Sequence, residues 1–129
     1  IYYGDEIGLA GGGDPDNRRA MPWDESALND HQKALRADVR ALSRLRAEHR
    51  VLARGQRQTV HADSDTWVYK KTGCGSGYNE AVVAINRADS SRSVPIPNGS
   101  WVNAISGESV SAGAYTLDAR DFLVLVSAN

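Results

Sequence analysis

The chain changes its hydrophobic rhythm three times. Ile1-Tyr2-Tyr3-Gly4 is apolar without polar alternation, the pattern of a strand buried on both faces. From Asp5 to about Ser26 the sequence turns polar and glycine-rich, with Gly11-Gly12-Gly13, Pro15 and Pro22. This predicts a long loop, and long loops in compact domains are usually functional or disordered. From Ala27 to about Arg50, Leu28, Leu35, Val39, Leu42 and Leu45 recur at helical spacing, while Lys33, Arg36, Arg40, Arg44 and Glu48 take other faces. The spacing predicts a single amphipathic helix of about six turns. Ser26 or Asn29-Asp30 supplies its cap, and Gly55 follows its end. Such a stripe needs a surface to bury against.

Beyond Gly55 the rhythm becomes short and β-like. Strands are expected at Arg57–Ala62, Thr66–Lys71, Ala81–Arg87, Ser93–Ile96, Trp101–Asn103, Tyr115–Leu117 and Phe122–Ser127. Gly73-Cys74-Gly75-Ser76-Gly77 and Pro97-Asn98-Gly99 punctuate them, and Asn98-Gly99 predicts a type I′ hairpin. Short strands at this spacing indicate a small antiparallel sandwich; no internal repeat is present. Strand, loop and helix before Gly55 amount to half of one barrel repeat, which cannot close a barrel. The N-terminal part is therefore expected to be a piece of a larger fold. The start at Ile1, with Met21 as the only methionine, adds the expectation of a segment or processed product of a longer polypeptide.

Composition narrows the function classes. The 129 residues are 41% hydrophobic with a formal net charge of −1. That near balance offers no electrostatic case for nucleic acid or an anionic membrane as partner. No apolar run approaches the roughly 18 residues of a membrane helix. The single cysteine, Cys74, forms no internal disulfide framework and reads as an exposed, non-catalytic thiol. No leader pattern is read at the start, and the compartment stays open.

Ile1-Tyr2-Tyr3-Gly4-Asp5-Glu6-Ile7-Gly8-Leu9 resembles the eighth barrel strand and its exit loop in the α-amylase family of glycoside hydrolases. Gly13-Asp14-Pro15-Asp16-Asn17-Arg18-Arg19-Ala20-Met21-Pro22-Trp23 is similar to that family's following loop, in the version of enzymes acting on maltooligosaccharides, cyclodextrins and pullulan-type glucans. Leu42-Ser43-Arg44-Leu45-Arg46-Ala47-Glu48-His49-Arg50 with Leu52-Ala53-Arg54-Gly55 resembles the last barrel helix and its exit. Ala119-Arg120-Asp121-Phe122-Leu123-Val124-Leu125-Val126 resembles the closing strand of the C-terminal sandwich. The resemblance implies a mainly β chain: a C-terminal antiparallel β-sandwich over 55–129, preceded over 1–54 by the terminal strand, active-site-face loop and helix of a (β/α)8 catalytic barrel. Barrel active sites lie at the C-terminal strand ends, which puts the loop after Tyr3 on the catalytic face.

Retaining glycosidases need a nucleophilic carboxylate and an acid roughly 5–5.5 Å apart. The resemblance assigns these to the fourth and fifth barrel strands, with a third carboxylate after the seventh. All precede Ile1, so no catalytic residue is assigned here and the chain alone is expected to be inactive. Asp5-Glu6 is not the missing pair, because neighbours on a strand point to opposite faces.

Asp14 and Arg18 are candidate substrate binders. A carboxylate accepts from neighbouring sugar hydroxyls, a guanidinium offers several fixed donors, and a spacing of four in a locally helical loop shares one face. The resemblance implies that they hold a glucose unit on the non-reducing side of the cleavage point. The competing reading pairs them with each other, or has Arg18 and Arg19 tie down the loop. Trp23 is a candidate to stack on a sugar ring, with packing on the barrel rim as its rival role. Trp67 and Trp101 are expected in the core, against the alternative of a starch-granule surface site.

Asp14-Pro15-Asp16-Asn17 lacks the alternating ligands, mid-loop glycine and closing Glu of a calcium loop. His31, His49 and His61 show no ligand spacing; the first two fall near the helix stripe as packing or hydrogen-bonding residues. Asn98-Gly99-Ser100 matches a glycosylation acceptor but is explained by the hairpin. No metal or cofactor is expected.

The leading expectation is thus an enzyme piece: part of a retaining α-glucan hydrolase or transferase whose partner is an α-glucan oligosaccharide. The isolated chain is expected to self-associate through its helix face, or to fold that helix onto the sandwich. The rivals are a free-standing carbohydrate-binding module and a purely structural accessory sandwich. Linkage preference, linear against cyclic substrate, and hydrolysis against transfer are not legible.

Overall fold

A computed structural model describes residues 2–73 and 80–128. Cys74 and Gly75-Ser76-Gly77 of the expected loop lie outside the described residues, as does Ile1. The chain divides into two compact units, 1–44 and 45–129, with the division inside a continuous helix.

In the first unit, Tyr2–Gly4 form a turn rather than the expected buried strand. No described strand pairs with them, and a strand without ladder partners leaves its amides unsatisfied. Neighbouring carboxylates take those amides instead: Tyr2 N–H donates to Asp5 Oδ2 at 2.8 Å and Gly4 N–H to Glu6 Oε2 at 2.9 Å. Gly4 at φ 89° admits the reversal, and a Cβ there would lie 2.7 Å from Leu9 Cβ. The loop is built from three short 3-10 turns, Asp5–Ile7, Asp16–Arg18 and Glu25–Ala27.

The expected helix forms as one element over most of its length, and a separate short helix follows where the sequence predicts none. Helix α1 spans Asp30–Glu48 and α2 spans Arg50–Arg54. The start is a reciprocal cap: Gln32 N–H donates to Asn29 Oδ1 at 2.9 Å and Asn29 N–H to Gln32 Oε1 at 3.1 Å, satisfying two end amides at once. The break is His49, held extended at φ −103°, ψ 95°. The stripe is covered at its ends, Leu28 and Leu45, whereas Leu35 and Leu42 are 38% and 36% exposed.

In the second unit, strands β1 (Gln56–Ala62), β2 (Thr66–Thr72), β3 (Ala81–Asn86), β4 (Arg92–Ile96), β5 (Trp101–Asn103), β6 (Ser109–Val110), β7 (Gly113–Leu117) and β8 (Phe122–Ser127) form two antiparallel sheets. One has the order β1-β2-β3-β8-β5-β6 and the other is β4-β7. Seven of these strands coincide closely with those expected, and the two-residue β6 is new. Alternation selects the core: Val68, Val82, Ala84, Leu123, Leu125 and Trp101 from the large sheet meet Val94, Ile96 and Leu117 from the small one. β1, an edge strand, is almost wholly exposed, with Gln56, Arg57 and Gln58 in solvent and only His61 half-buried, a polar composition that discourages edge-to-edge pairing. Pro95 sits in β4 opposite Ala114; in a two-strand sheet every strand is an edge, where a missing N–H is tolerated.

The Asn98-Gly99 hairpin does not form. β4 and β5 belong to different sheets, so the turn carries the chain across the sandwich rather than back along one sheet. Gly99 at φ 150° lies outside type I′ geometry. Its turn is fixed by Trp101, whose Nε1 donates to the Pro97 carbonyl at 2.8 Å.

Candidate functional site

The candidate site lies in the loop of the first unit. The 3-10 turn at Asp16–Arg18 is closed by Asp16 N–H on the Gly13 carbonyl at 2.8 Å and Arg18 N–H on that of Pro15 at 3.0 Å. That turn brings Asp14 and Arg18 together: Arg18 Nη2 lies 3.0 Å from Asp14 Oδ1, with both side chains more than 60% exposed. This is the mutual pairing the competing reading of the sequence described, and an exposed ion pair of this kind is held weakly. Trp23, the third sequence candidate, is 86% exposed.

Beside this pair sits a second one, in which Arg19 ties down the loop as the competing reading of the sequence had it, though with Asp16 as a partner that reading did not name. Asp16 Oδ1 accepts from Arg19 Nε at 2.7 Å and Oδ2 from Arg19 Nη2 at 2.8 Å, a two-pronged pair. The same Oδ2 accepts from Gly12 N–H at 2.7 Å. The Arg19 hydrogen bonds and that of Gly12 hold the Asp16 carboxyl below the usual aspartate range, and Asp16 raises the guanidinium of Arg19 in turn. The Arg19 carbonyl accepts from the Tyr3 hydroxyl at 3.2 Å. The only sequence signal was the spacing Asp16-x-x-Arg19, which a 3-10 turn converts into contact.

Tyr2, Tyr3, Asp5, Leu9, Asn17 and Arg19 line a pocket of about 220 Å³ in this unit. The two tyrosine rings stand 4.7 Å apart at 47°, so the pocket combines aromatic faces with donors and acceptors. Asp5 and Glu6 are engaged by backbone amides.

In the second unit, Trp101 is 2% exposed in the core. Trp67 lies on the opposite face of the large sheet, 4.7 Å from Tyr69, with the Arg57 guanidinium 5.0 Å over its ring. The two tryptophans do not share a surface. Of the histidines, His31 is exposed, His49 half-buried at the helix break, and His61 Nε2 lies 3.1 Å from both Asp63 Oδ2 and Thr66 Oγ1. Among the described residues no group of three or more His, Cys, Asp or Glu gathers as a metal would require, and no helix is long and apolar enough to cross a membrane.

Sequence and fold are those of the α-amylase family of glycoside hydrolases along nearly the whole chain. The chain is 40% identical over 123 residues to a cyclomaltodextrinase of Geobacillus thermopakistaniensis (strain MAS1), covering 91% of this chain and 20% of the relative. It is 37% identical over 114 residues to neopullulanase 2 of Thermoactinomyces vulgaris, covering 85% and 19%. The crystal structure of a maltogenic amylase from S. marinus superposes with a TM-score of 0.77 at 28% identity, over 98% of this chain and 17% of the other. The chain therefore spans about a fifth of the length of these two curated relatives. No family model matches it.

Proposed function

We propose that this chain is the C-terminal stretch of a retaining α-glucan glycosidase acting on maltooligosaccharides or related cyclic or pullulan-type glucans. Residues 1–54 supply the terminal strand, active-site-face loop and helix of its catalytic barrel, and 55–129 its C-terminal sandwich. The observation that carries this reading is the match to a cyclomaltodextrinase over 91% of the chain.

On this reading Asp14 and Arg18 part from each other to hold a glucose unit on the non-reducing side of the scissile bond, and Trp23 offers a ring to stack on sugar. The nucleophile and acid are supplied from outside the chain, which hydrolyses nothing alone. Tyr2–Gly4 become a strand once barrel neighbours offer ladder partners. Leu35 and Leu42 meet the preceding barrel helix, and in the isolated chain they meet a second copy.

The test is to read the coding frame upstream of Ile1 and express the whole product. The reading expects βα alternation with strand-end carboxylates, release of α-anomeric products from maltooligosaccharides, cyclodextrin or pullulan seen by NMR before mutarotation, and no turnover by the 129 residues alone. Inverted products, or an unrelated domain in place of the barrel, would overturn it; an unrelated domain would favour an accessory sandwich.

A further inference from the structure

Asp14 and Arg18 can meet a sugar only if their short, glycine-rich segment has a defined shape, and neither residue is in a position to impose one. Both side chains are more than 60% exposed and meet through one contact, an ion pair of little worth, whereas Asp16 and Arg19, about half exposed, meet two-pronged, the geometry in which a surface pair does hold. The shape comes from Asp16, which lies midway between them. Its carboxylate gathers an amide from four residues before and a guanidinium from three residues after: Gly12 N–H at 2.7 Å, and Arg19 Nε and Nη2 at 2.7 and 2.8 Å. The segment 12–19 is thereby closed on itself around one side chain.

The neighbouring glycines fit this clasp. A Cβ on Gly12 would stand 3.1 Å from Asp16 Oδ2, and one on Gly11 would stand 2.9 Å from the Asp16 carbonyl oxygen. Both positions are crowded by Asp16, one by its side chain and one by its backbone. Gly13 has open space around it, so the crowding is specific to the two residues that the clasp draws in. Tyr3 extends the arrangement, its hydroxyl donating to the Arg19 carbonyl at 3.2 Å. Three donors already engage the Asp16 oxygens, whereas the Asp14 contact runs from one oxygen to Arg18. Asp16 is spent on the loop, and Asp14 is available to a ligand.

We infer that Asp16, closed on Arg19 and the Gly12 amide, is a positioning residue that presents Asp14 and Arg18 to an α-glucan substrate. This rests on the reading of Asp14 and Arg18 as substrate binders. Asp16 touches no sugar; it sets where the two groups that do so stand.

The experiment uses the full-length enzyme carrying this chain, assayed on maltooligosaccharides with Asp16→Asn, Arg19→Lys, Arg18→Ala and the double variant Asp16→Asn/Arg18→Ala. Asp16→Asn is expected to raise KM roughly tenfold, the worth of one charge-assisted hydrogen bond, with kcat within about twofold. Arg19→Lys, which keeps the charge but not the fork, should fall between it and the parent. The double variant should be little worse than Arg18→Ala, because residues acting through one contact are not additive. Hydrogen exchange at the Gly12 amide provides a readout independent of turnover, and Asp16→Asn should speed it in an otherwise folded protein. If Arg18→Ala raises KM while Asp16→Asn does not, the clasp positions nothing and the inference is wrong. If Asp16→Asn does not fold, Arg19→Lys decides in its place: an unchanged KM overturns the inference. If Arg18→Ala leaves KM unchanged, the substrate-binding reading itself fails and the inference falls with it.

Discussion

Asn86, 1% exposed at the end of β3, donates through Nδ2 to the carbonyl of Asp118 at 2.6 Å. The same amide donates to the Ser90 carbonyl at 3.0 Å, and its Oδ1 accepts from Ala88 N–H at 3.0 Å. One buried side chain thus joins the end of β3, the turn after it and the chain leaving β7. Removing it withdraws the partner of several backbone groups together, which costs more than one hydrogen bond. Asn86→Ala is expected to lower the unfolding free energy by about 2–4 kcal/mol. Urea denaturation of the two proteins checks this, and a loss within about 0.5 kcal/mol would mean the turn holds without it.

Gly99 sits at φ 150° with the Trp101 ring where a side chain would begin: an added Cβ lies 2.8 Å from ring atoms. Gly99→Ala must move either the crossover turn or a core tryptophan. A destabilisation of about 1–3 kcal/mol is expected. Equal denaturation midpoints for the variant and the parent would show that the turn relaxes freely.

Asp63 closes the β1–β2 turn, accepting from the backbone of Asp65 at 2.8 Å and of Thr66 at 2.6 Å. These bonds, the Asp65 amide foremost, then Thr66 and the His61 side chain, hold its carboxyl far below the ordinary value of 3.8. A depressed carboxyl binds protons less readily folded than unfolded. Its stabilisation is therefore complete above about pH 3.8 and is lost as acid drives the pH down toward the folded value. Thermal melts between about pH 6 and 2.5 should show the parent losing Tm more steeply than Asp63→Asn, the gap closing toward low pH. Parallel curves would place the acid sensitivity elsewhere.

Leu35 and Leu42 stand seven residues apart on α1 and are both more than a third exposed. Apolar surface of this kind drives association. Sedimentation of the isolated chain is expected to give a concentration-dependent mass above 13.9 kDa, reduced by the pair Leu35→Glu and Leu42→Lys. A parent that stays monomeric at hundreds of micromolar would contradict the proposed role of this face.

Local rules were enough for much of the chain. Short β-prone runs set off by Gly, Asn, Asp and Ser clusters marked seven of the eight strands, because both signals are carried by neighbours along the chain. The start of α1 was open in the sequence between Ser26 and Asn29-Asp30, and the reciprocal bonds of Asn29 and Gln32 place it at Asn29. Two residues are too few to show a period, so β6 left no mark.

The sequence by itself determined the elements of the sandwich and, through its resemblance, the family, since periodicity and motif spacing are carried by neighbours along the chain. Tertiary structure decided what depends on distant partners. Tyr2–Gly4 have a strand's composition but form a turn, because a ladder needs a neighbour. Asn98-Gly99 have a hairpin's composition but cross between sheets, because the pairing of β4 with β7 and of β5 with β8 outweighs a dipeptide preference. Asp14 and Arg18 were legible by type and spacing. The clasp of Asp16 on Arg19 and Gly12 was not, because it depends on a 3-10 turn and two close-approaching glycines that fold together.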